Sequence, residues 1–303
     1  MLPKRASMSR NLPNIKECCG SCAVPDFHGY FLHIIMSVIA ISDQEFAKFQ
    51  RFIYEEAGIT LPSSKKALVS GRLAKRLRQC QVGSYAQYFD LLASGGAGQE
   101  VQTAVDLLTT NETYFFREQK HFDLLREQAL AARKSAQPFR VWSAASSSGE
   151  EAYSIAMVLA DCFESRPWEV VGSDISTRVL HKAAIGHYSE ERARLIPPAY
   201  LKRFCLKGID TQKGTLLVAP ELRKRVQFIQ VNLNQPLPQL GMFDMIFLRN
   251  VMIYFSGDTK RLVVARVLSL LKPGGYFCIG HSETLNDISD AVRAVAPSVY
   301  RKD

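Results

Sequence analysis

The sequence predicts an α/β fold: a doubly wound parallel sheet, preceded by a helical bundle and interrupted by a small β-rich insertion. From about Arg140 onward, short apolar runs alternate with helix-period segments, the pattern of a parallel sheet covered by helices on both faces. Between residues 42 and 110 every signal is helical. From 187 to 225 the alternation breaks at Pro197-Pro198 and gives way to short β-like pieces around 207–219, as expected of an inserted subdomain.

Residues 1–41 read as an irregular extension. Its apolar run Phe31-Leu-His-Ile-Ile-Met-Ser-Val-Ile-Ala-Ile41 is too short to span a bilayer, and no small-residue cleavage site follows it. A secreted protein is therefore not expected, and Met36 is a candidate alternative start. Ser42-Asp-Gln-Glu45 is a capping box that opens the first helix, whose face carries Phe46, Phe49, Ile53 and Tyr54, and Gly58 closes it. The next helix opens at Ser63 and Ser64 and runs to about Gln81. It buries Val69, Leu73 and Leu77 and carries Lys65, Lys66, Arg72, Lys75, Arg76 and Arg78 without one acid. Helices over Tyr85–Ala93 and 100–108 complete the bundle, separated by Gly95-Gly-Ala-Gly98. Strands are expected at Phe139–Ser143, 169–173, Val226–Gln230, Phe243–Leu248 and 276–280, with a last one near 298–301. Lys272-Pro-Gly-Gly275 reads as a turn ahead of the 276–280 strand.

The chain has 303 residues, 47% of them apolar and 22% charged, which is enough for a sizeable core. Its formal net charge of +9 points towards acidic partners. Seven scattered cysteines do not describe a disulfide framework and fit a reducing compartment. Cys19-Gly-Ser-Cys22 has metal-ligand spacing, with His28 and His33 after it, but no second pair exists and the βαβ context of a redox motif is missing. No metal site is assigned.

The chemistry begins at the first strand. Phe139-Arg-Val-Trp-Ser-Ala-Ala-Ser-Ser-Ser-Gly149-Glu-Glu151 runs from that strand through a turn of small residues into a helix, and ligands of such sheets sit beyond the carboxyl ends of the strands. The turn holds one glycine and is followed by two acids, which argues against a pyrophosphate and for a cationic ligand. Asp174, at the end of the second strand, is spaced to accept ribose hydroxyls. A nicotinamide dinucleotide is the competing ligand, though its turn supplies several glycines. Asn232 and Leu233 follow the third strand of the set, where an adenine edge would lie. Arg249 and Tyr254 leave the next strand into the same cleft.

Six blocks together give a resemblance: Thr109-Thr-Asn-Glu-Thr-Tyr-Phe-Phe-Arg117, Trp142-Ser-Ala-Ala-Ser-Ser-Ser-Gly-Glu-Glu151, Ser173-Asp174, Asn232-Leu233, Arg249-Asn-Val-Met-Ile-Tyr254 and Gly280-His-Ser-Glu283. In order and without large gaps, from about residue 42 to 302, the chain resembles the CheR family. Its members are the S-adenosylmethionine-dependent glutamate O-methyltransferases of bacterial chemoreceptors. The resemblance implies a Rossmann-like class I methyltransferase domain over 116–303, with a small antiparallel β-subdomain at about 187–225. It also implies a helical receptor-interacting domain over 42–115. Asn111, Thr113, Arg117, Glu151, Asp174, Asn232, Leu233, Arg249 and Asn250 would contact S-adenosyl-L-methionine, with S-adenosyl-L-homocysteine as product. Arg117 and Tyr254 would flank the transferred methyl group as catalytic residues. Of the two acids after the turn, Glu151 is the one expected to meet the cationic end of the cofactor.

The implied partner is the cytoplasmic helical bundle of membrane chemoreceptors. The enzyme itself would be cytoplasmic and monomeric, without membrane insertion or nucleic acid, and recruited to receptor arrays. Receptor methylation regions are glutamate-rich helices, so Arg72, Lys75 and Arg76 on the basic helix are candidate receptor contacts. Some relatives hold a receptor C-terminal pentapeptide at a Gly-x-Gly loop. Here that run is Lys207-Gly-Ile-Asp210, and the aspartate leads to the expectation that the pentapeptide is not bound. A nucleic-acid methyltransferase is disfavoured because no Asn/Asp-Pro-Pro-Tyr/Phe motif occurs and the basic helix lacks interleaved aromatics. A non-enzymatic adaptor is disfavoured by the intact Arg117 and Tyr254.

Overall fold

The computed structural model describes residues 40–94, 98–163 and 166–303, so the Cys19–Cys22 pair and Met36 lie outside the described residues. Helix α1 (Asp43–Ala57) starts on the capping box, with the Glu45 N–H donating to Ser42 Oγ at 3.1 Å and the Ser42 N–H to Glu45 Oε2 at 2.9 Å. It stops at Gly58, whose φ of +70° and whose absent Cβ, 2.7 Å from Thr259 Cγ2 if built, both require glycine. Phe46, Phe49 and Ile53 are buried as expected, but Tyr54 is exposed and Phe52 takes its place in the core. A 3-10 turn over Ser63–Lys65 leads into α2 (Lys66–Gln79), which buries Val69, Leu73 and Leu77. Helices α3 (Tyr85–Ala93) and α4 (Gly98–Leu108) follow.

Helix α5 (Lys120–Ala131) is not among the expected elements, although Phe122, Leu125 and Ala129 share one helical face. It buries only four residues, and one of them is His121. The chain then passes through β1 (Phe139–Ser143), α6 (Glu150–Phe163), β2 (Trp168–Asp174) and α7 (Thr177–Ile185). The insertion comprises β3 (His187–Ser189), α8 (Glu190–Ala193), α9 (Pro198–Phe204), β4 (Cys205–Lys207) and β5 (Thr215–Val218). After α10 (Pro220–Arg223) come β6 (Val226–Gln230), β7 (Phe243–Leu248), α11 (Gly257–Ser269), β8 (Leu271–Ile279), β9 (Arg293–Ala296) and β10 (Val299–Arg301).

Seven strands form one sheet in the order β6-β2-β1-β7-β8-β10-β9, and the insertion forms a separate antiparallel sheet β3-β5-β4. The first five of the seven run parallel, while β10 lies antiparallel to both β8 and β9. The chain leaves β1 towards β2 and β6 and returns to β7 on the other side of β1. The switch point, and hence the cleft, lies at the carboxyl ends of β1 and β7. β7 is buried along Phe243, Met245, Ile246, Phe247 and Leu248, as a central strand covered on both faces should be. Lys272-Pro-Gly-Gly275 does not precede β8 but lies within it as a bulge. The register passes from Phe243↔Leu271 to Met245↔Tyr276, with Gly274 at φ +75°.

Three links hold the helices over that cleft. Ser176 makes no side-chain cap for α7, and Asp106 of α4 supplies it, accepting from the Thr177 N–H at 3.0 Å, the Thr177 hydroxyl at 2.9 Å and the Arg178 N–H at 3.2 Å. Asn232 Nδ2 donates to the Glu56 carbonyl at the end of α1 at 2.6 Å. The Thr60 N–H donates to the Tyr254 carbonyl at 2.8 Å, beside a β-bridge between Ile59 and Phe255.

Candidate active site

The floor of the cleft is the turn from β1 to α6. Ser147 at φ +48° and Gly149 at φ +95° bend it tightly. The Asp174 carboxylate, at the end of β2, ties it to the next turn: Oδ2 accepts from the Ser147 N–H and Oδ1 from the Ser176 N–H, both at 2.9 Å. The protein packed around Asp174 pushes its carboxyl up to about 6, only partly offset by those two donors.

The two acids after the turn face different ways. Glu150 is fully buried away from the cleft, with Oε2 accepting from Ser148 Oγ at 2.7 Å and Oε1 paired with Arg192 at 2.5 Å. Glu151 faces the cleft, where Oε1 accepts from Ser143 Oγ at 2.6 Å and Oε2 lies 3.0 Å from Arg249 Nη1. Burial raises the Glu151 carboxyl, and Arg249 opposes that shift. Arg249 also meets Glu118 Oε2 at 3.1 Å, so one buried guanidinium serves two carboxylates. His121 beneath them is pushed down to about 4, first by burial and then by Arg249, and is neutral at neutral pH.

Two contiguous cavities share Ile59, Ala145, Asp174, Ile175 and Val251. The larger is lined by Asn111, Thr113, Arg117, Glu151, Asp174, Arg249, Asn250 and Tyr254 among others. The smaller adds Asn232 and Leu233. The structure thus brings all the expected cofactor and catalytic positions to one cleft. Asn232 stands apart in one respect: its side chain is engaged internally, with Nδ2 on Glu56 and Oδ1 accepting from the Asn234 N–H at 3.0 Å.

Two residues beyond the expected set organise the cleft. Glu283 accepts the N–H groups of Gly280 at 2.7 Å, Asn250 at 2.9 Å and Ile253 at 3.3 Å, pinning the turn that carries Tyr254 to the end of β8. Glu118 does the same for Arg249 and the His281 N–H. Both lie inside or directly beside the sequence blocks that mark the site, which was the available signal.

The basic helix needs a correction. Arg72 Nη1 donates to the carbonyls of Leu107, Leu108 and Thr109 at 3.2, 3.3 and 2.9 Å, closing the end of α4. Arg76 forms a two-point pair with Glu100, which Tyr88 also contacts. Both side chains satisfy groups of the bundle itself, Arg76 through two nitrogens and Arg72 through Nη1 alone. Lys75 is exposed, and with Leu68, Gly71 and Arg78 it forms the outward stripe of α2. In the β-subdomain, Asp210 sits at φ +49°, the conformation a glycine would take there. The aspartate changes the charge of that loop more than its backbone shape.

Residues 44–109 match the family model "CheR methyltransferase, all-alpha domain", and residues 111–300 match "CheR methyltransferase, SAM binding domain". The chain belongs to the CheR methyltransferase family. It is 40% identical over 267 residues to the chemotaxis protein methyltransferase of Escherichia coli (strain K12), across 86% of this chain and 92% of that one. It is 42% identical over 260 residues to chemotaxis protein methyltransferase 2 of Pseudomonas aeruginosa, across 85% and 92%. Chemotaxis protein methyltransferase 2 of Vibrio cholerae is 35% identical over 262 residues, across 84% and 90%. This CheR-family chain is an S-adenosylmethionine-dependent methyltransferase of chemotaxis. Among its described residues, no helix is long and apolar enough to cross a membrane.

The residues present fit that cofactor. Asn111 Nδ2 is buried with no hydrogen-bond partner, a donor left over at the cleft wall. Three carboxylates, Glu112, Glu151 and Asp174, line the larger cavity against two guanidiniums, Arg117 and Arg249, a balance that suits a ligand with a cationic end.

Proposed function

We propose that this enzyme esterifies glutamate side chains on the cytoplasmic helices of chemoreceptors. The observation that carries this reading is Arg117. Its guanidinium lines the cleft beside Glu151 and Tyr254, rests 5.3 Å over the Tyr114 ring and makes no ion pair among the described residues. A cation kept without a carboxylate at the mouth of a cleft is suited to receive one from a substrate.

Asp174 would accept the ribose hydroxyls, Glu151 the cationic amino end and Asn111 Nδ2 a remaining acceptor, while Thr113, Asn250, Asn232 and Leu233 close the walls. Held there, S-adenosylmethionine supplies an electrophilic methyl group on a positively charged sulfur. A glutamate carboxylate is ionised at neutral pH, so the protein need not remove a proton. Its task is to orient that carboxylate with Arg117 and the Tyr254 hydroxyl and to exclude water, because opposite charges react more readily in a drier site. Glu151 and Asp174 are already engaged by Arg249 and by backbone amides, which suits holding rather than proton transfer.

The receptor helix would lie along the Leu68–Gly71–Lys75–Arg78 stripe. Gly71 leaves that face flat, since a Cβ built on it meets nothing within 4 Å. Lys75 and Arg78 would face receptor glutamates. In this reading residues 42–115 act as the docking domain and 116–303 as the catalytic one, in a cytoplasmic monomer recruited to receptor arrays. Independence from a receptor C-terminal pentapeptide then rests on the Asp210 carboxylate rather than on loop shape.

The test uses labelled S-adenosylmethionine with receptor cytoplasmic fragments, with the same fragments carrying Glu→Gln changes, and with RNA. Base-labile label in the glutamate fragments alone is expected. Equal labelling of the glutamine versions, or of RNA, would sink the proposal.

A further inference from the structure

Arg117 is flanked by two residues in left-handed backbone, Phe116 at φ +53° and Glu118 at φ +60°. Residues with a side chain rarely settle there, and such conformations persist only where the surroundings impose them. Phe116 is held by its buried ring and by Ser154 Oγ, which accepts its N–H at 3.0 Å, while Glu118 is held by its own carboxylate, on a side chain only 10% exposed. Its Oε1 accepts from the His281 N–H at 3.1 Å, on the segment that follows β8. Its Oε2 accepts from Arg249 Nη2 at 3.1 Å and Nε at 3.3 Å, and Arg249 in turn donates to the Arg117 carbonyl. The result is a closed ring of contacts running from Arg117 through Arg249 to Glu118 and back along the chain. Arg249 opposes the rise that burial alone would give Glu118, and the His281 N–H adds to this, leaving the carboxyl below its ordinary value. Glu118, His121 and His281 also approach one another within 4.8 Å, as metal ligands do. The oxygen that would join them already carries the Arg249 guanidinium, so the cluster is a hydrogen-bonded brace.

We propose that Glu118 is a positioning residue for methyl transfer: its carboxylate braces the left-handed turn that presents Arg117 to the cleft. The inference rests on the reading above, in which Arg117 orients the substrate carboxylate. It distinguishes presentation of Arg117 from cofactor grip, because Glu151 is held by Ser143 Oγ and by Arg249 Nη1, a nitrogen that Glu118 does not use. Glu118→Gln keeps the side chain's shape. Its single carbonyl oxygen can serve either the His281 N–H or Arg249, and its amide group then opposes the other donor. Glu118→Gly relieves the left-handed backbone but removes the brace, so it separates strain from bracing.

The experiment measures melting temperature, cofactor Kd by calorimetry and single-turnover methyl transfer to a receptor cytoplasmic fragment, for the full chain and for Glu118→Gln, Glu118→Ala and Glu118→Gly. Glu118→Gln should melt within a few degrees of wild type and keep its cofactor Kd within a few-fold, while transfer slows by about tenfold to a hundredfold. Glu118→Ala and Glu118→Gly should be slower still. Wild-type transfer rates in Glu118→Gln and Glu118→Gly would overturn the proposal, as would equal losses of Kd and rate together with a collapsed melt. Absence of transfer by the wild-type enzyme to any receptor fragment would instead overturn the receptor reading beneath it.

Discussion

Arg249 Nη1 lies 3.0 Å from Glu151 Oε2, and the Arg249 side chain is only 1% exposed. A buried pair of this kind gains little over apolar packing, but removing one partner strands the other. Arg249→Ala would strand Glu118 and Glu151 together. The expected loss is about 3–5 kcal/mol of folding stability, read as a lowered urea midpoint with an unchanged slope. Arg249→Lys should recover only part of it, since an ammonium cannot span both carboxylates as a guanidinium does. Wild-type stability in Arg249→Ala would show that the pair is solvated and unimportant to the fold.

Arg117 is expected to behave in the opposite way. It is half-buried, its Nη1 makes one long hydrogen bond of 3.4 Å to the Glu112 carbonyl, and its guanidinium lies over Tyr114. Arg117→Ala should therefore leave the melt nearly unchanged. Transfer should fall by about a hundredfold or more, with the cofactor Kd moving far less. Loss of affinity and rate in equal measure would show that Arg117 merely holds the cofactor. Tyr254→Phe offers a parallel measurement, because the Tyr254 carbonyl, not its hydroxyl, makes the contact with Thr60.

The contrast between Arg249 and Arg117 also shows what a sequence can reveal. Three strand boundaries, Phe139–Ser143, Val226–Gln230 and Phe243–Leu248, were legible because apolar runs stop where turn residues begin. The cleft was legible for the same reason: its residues follow strand ends, and strand ends converge in a doubly wound sheet. Long-range partners carry no local signal. Arg72 and Arg76 read as a free basic face because Thr109 and Glu100 are distant in sequence, and only the packing of α2 on α4 brings them together. Asn232 reads as a ligand contact, yet its amide serves Glu56. Strand β9 was missed because all four of its residues are exposed and leave no alternation to read.

Asp174 gives a pH prediction with two opposite signs. Burial pushes its carboxyl from the ordinary 3.8 up to about 6. Below about pH 6 it takes up a proton and accepts ribose hydroxyls less well. The cofactor Kd should be flat above about pH 7 and climb below about pH 6, by up to about tenfold per unit. Folding stability runs the other way. The native value exceeds the unfolded one, so ionised Asp174 costs stability as pH rises from about 4 through 6, and the cost is absent below that window. Asp174→Asn should bind the cofactor more weakly and lose this limb of the pH dependence. A Kd unchanged between pH 7 and 5 would remove Asp174 from the ribose.

The two kinds of basic residue on α2 should separate cleanly. Lys75 and Arg78 are exposed on the stripe that carries Leu68 and Gly71, whereas Arg72 and Arg76 hold the bundle together. Lys75→Glu with Arg78→Glu should raise KM for receptor fragments several-fold at low salt, with kcat, cofactor Kd and melting temperature kept. The effect should shrink at about 0.5 M salt, because exposed charges are screened over a few ångströms there. Arg72→Glu and Arg76→Glu should instead lower the melting temperature. They place an acid against the carbonyls at the end of α4 and against Glu100, where like charges repel in a partly buried setting. If the exposed pair leaves KM unchanged at low salt while the internal pair shifts it without destabilising the fold, receptor docking does not use the outward stripe of α2.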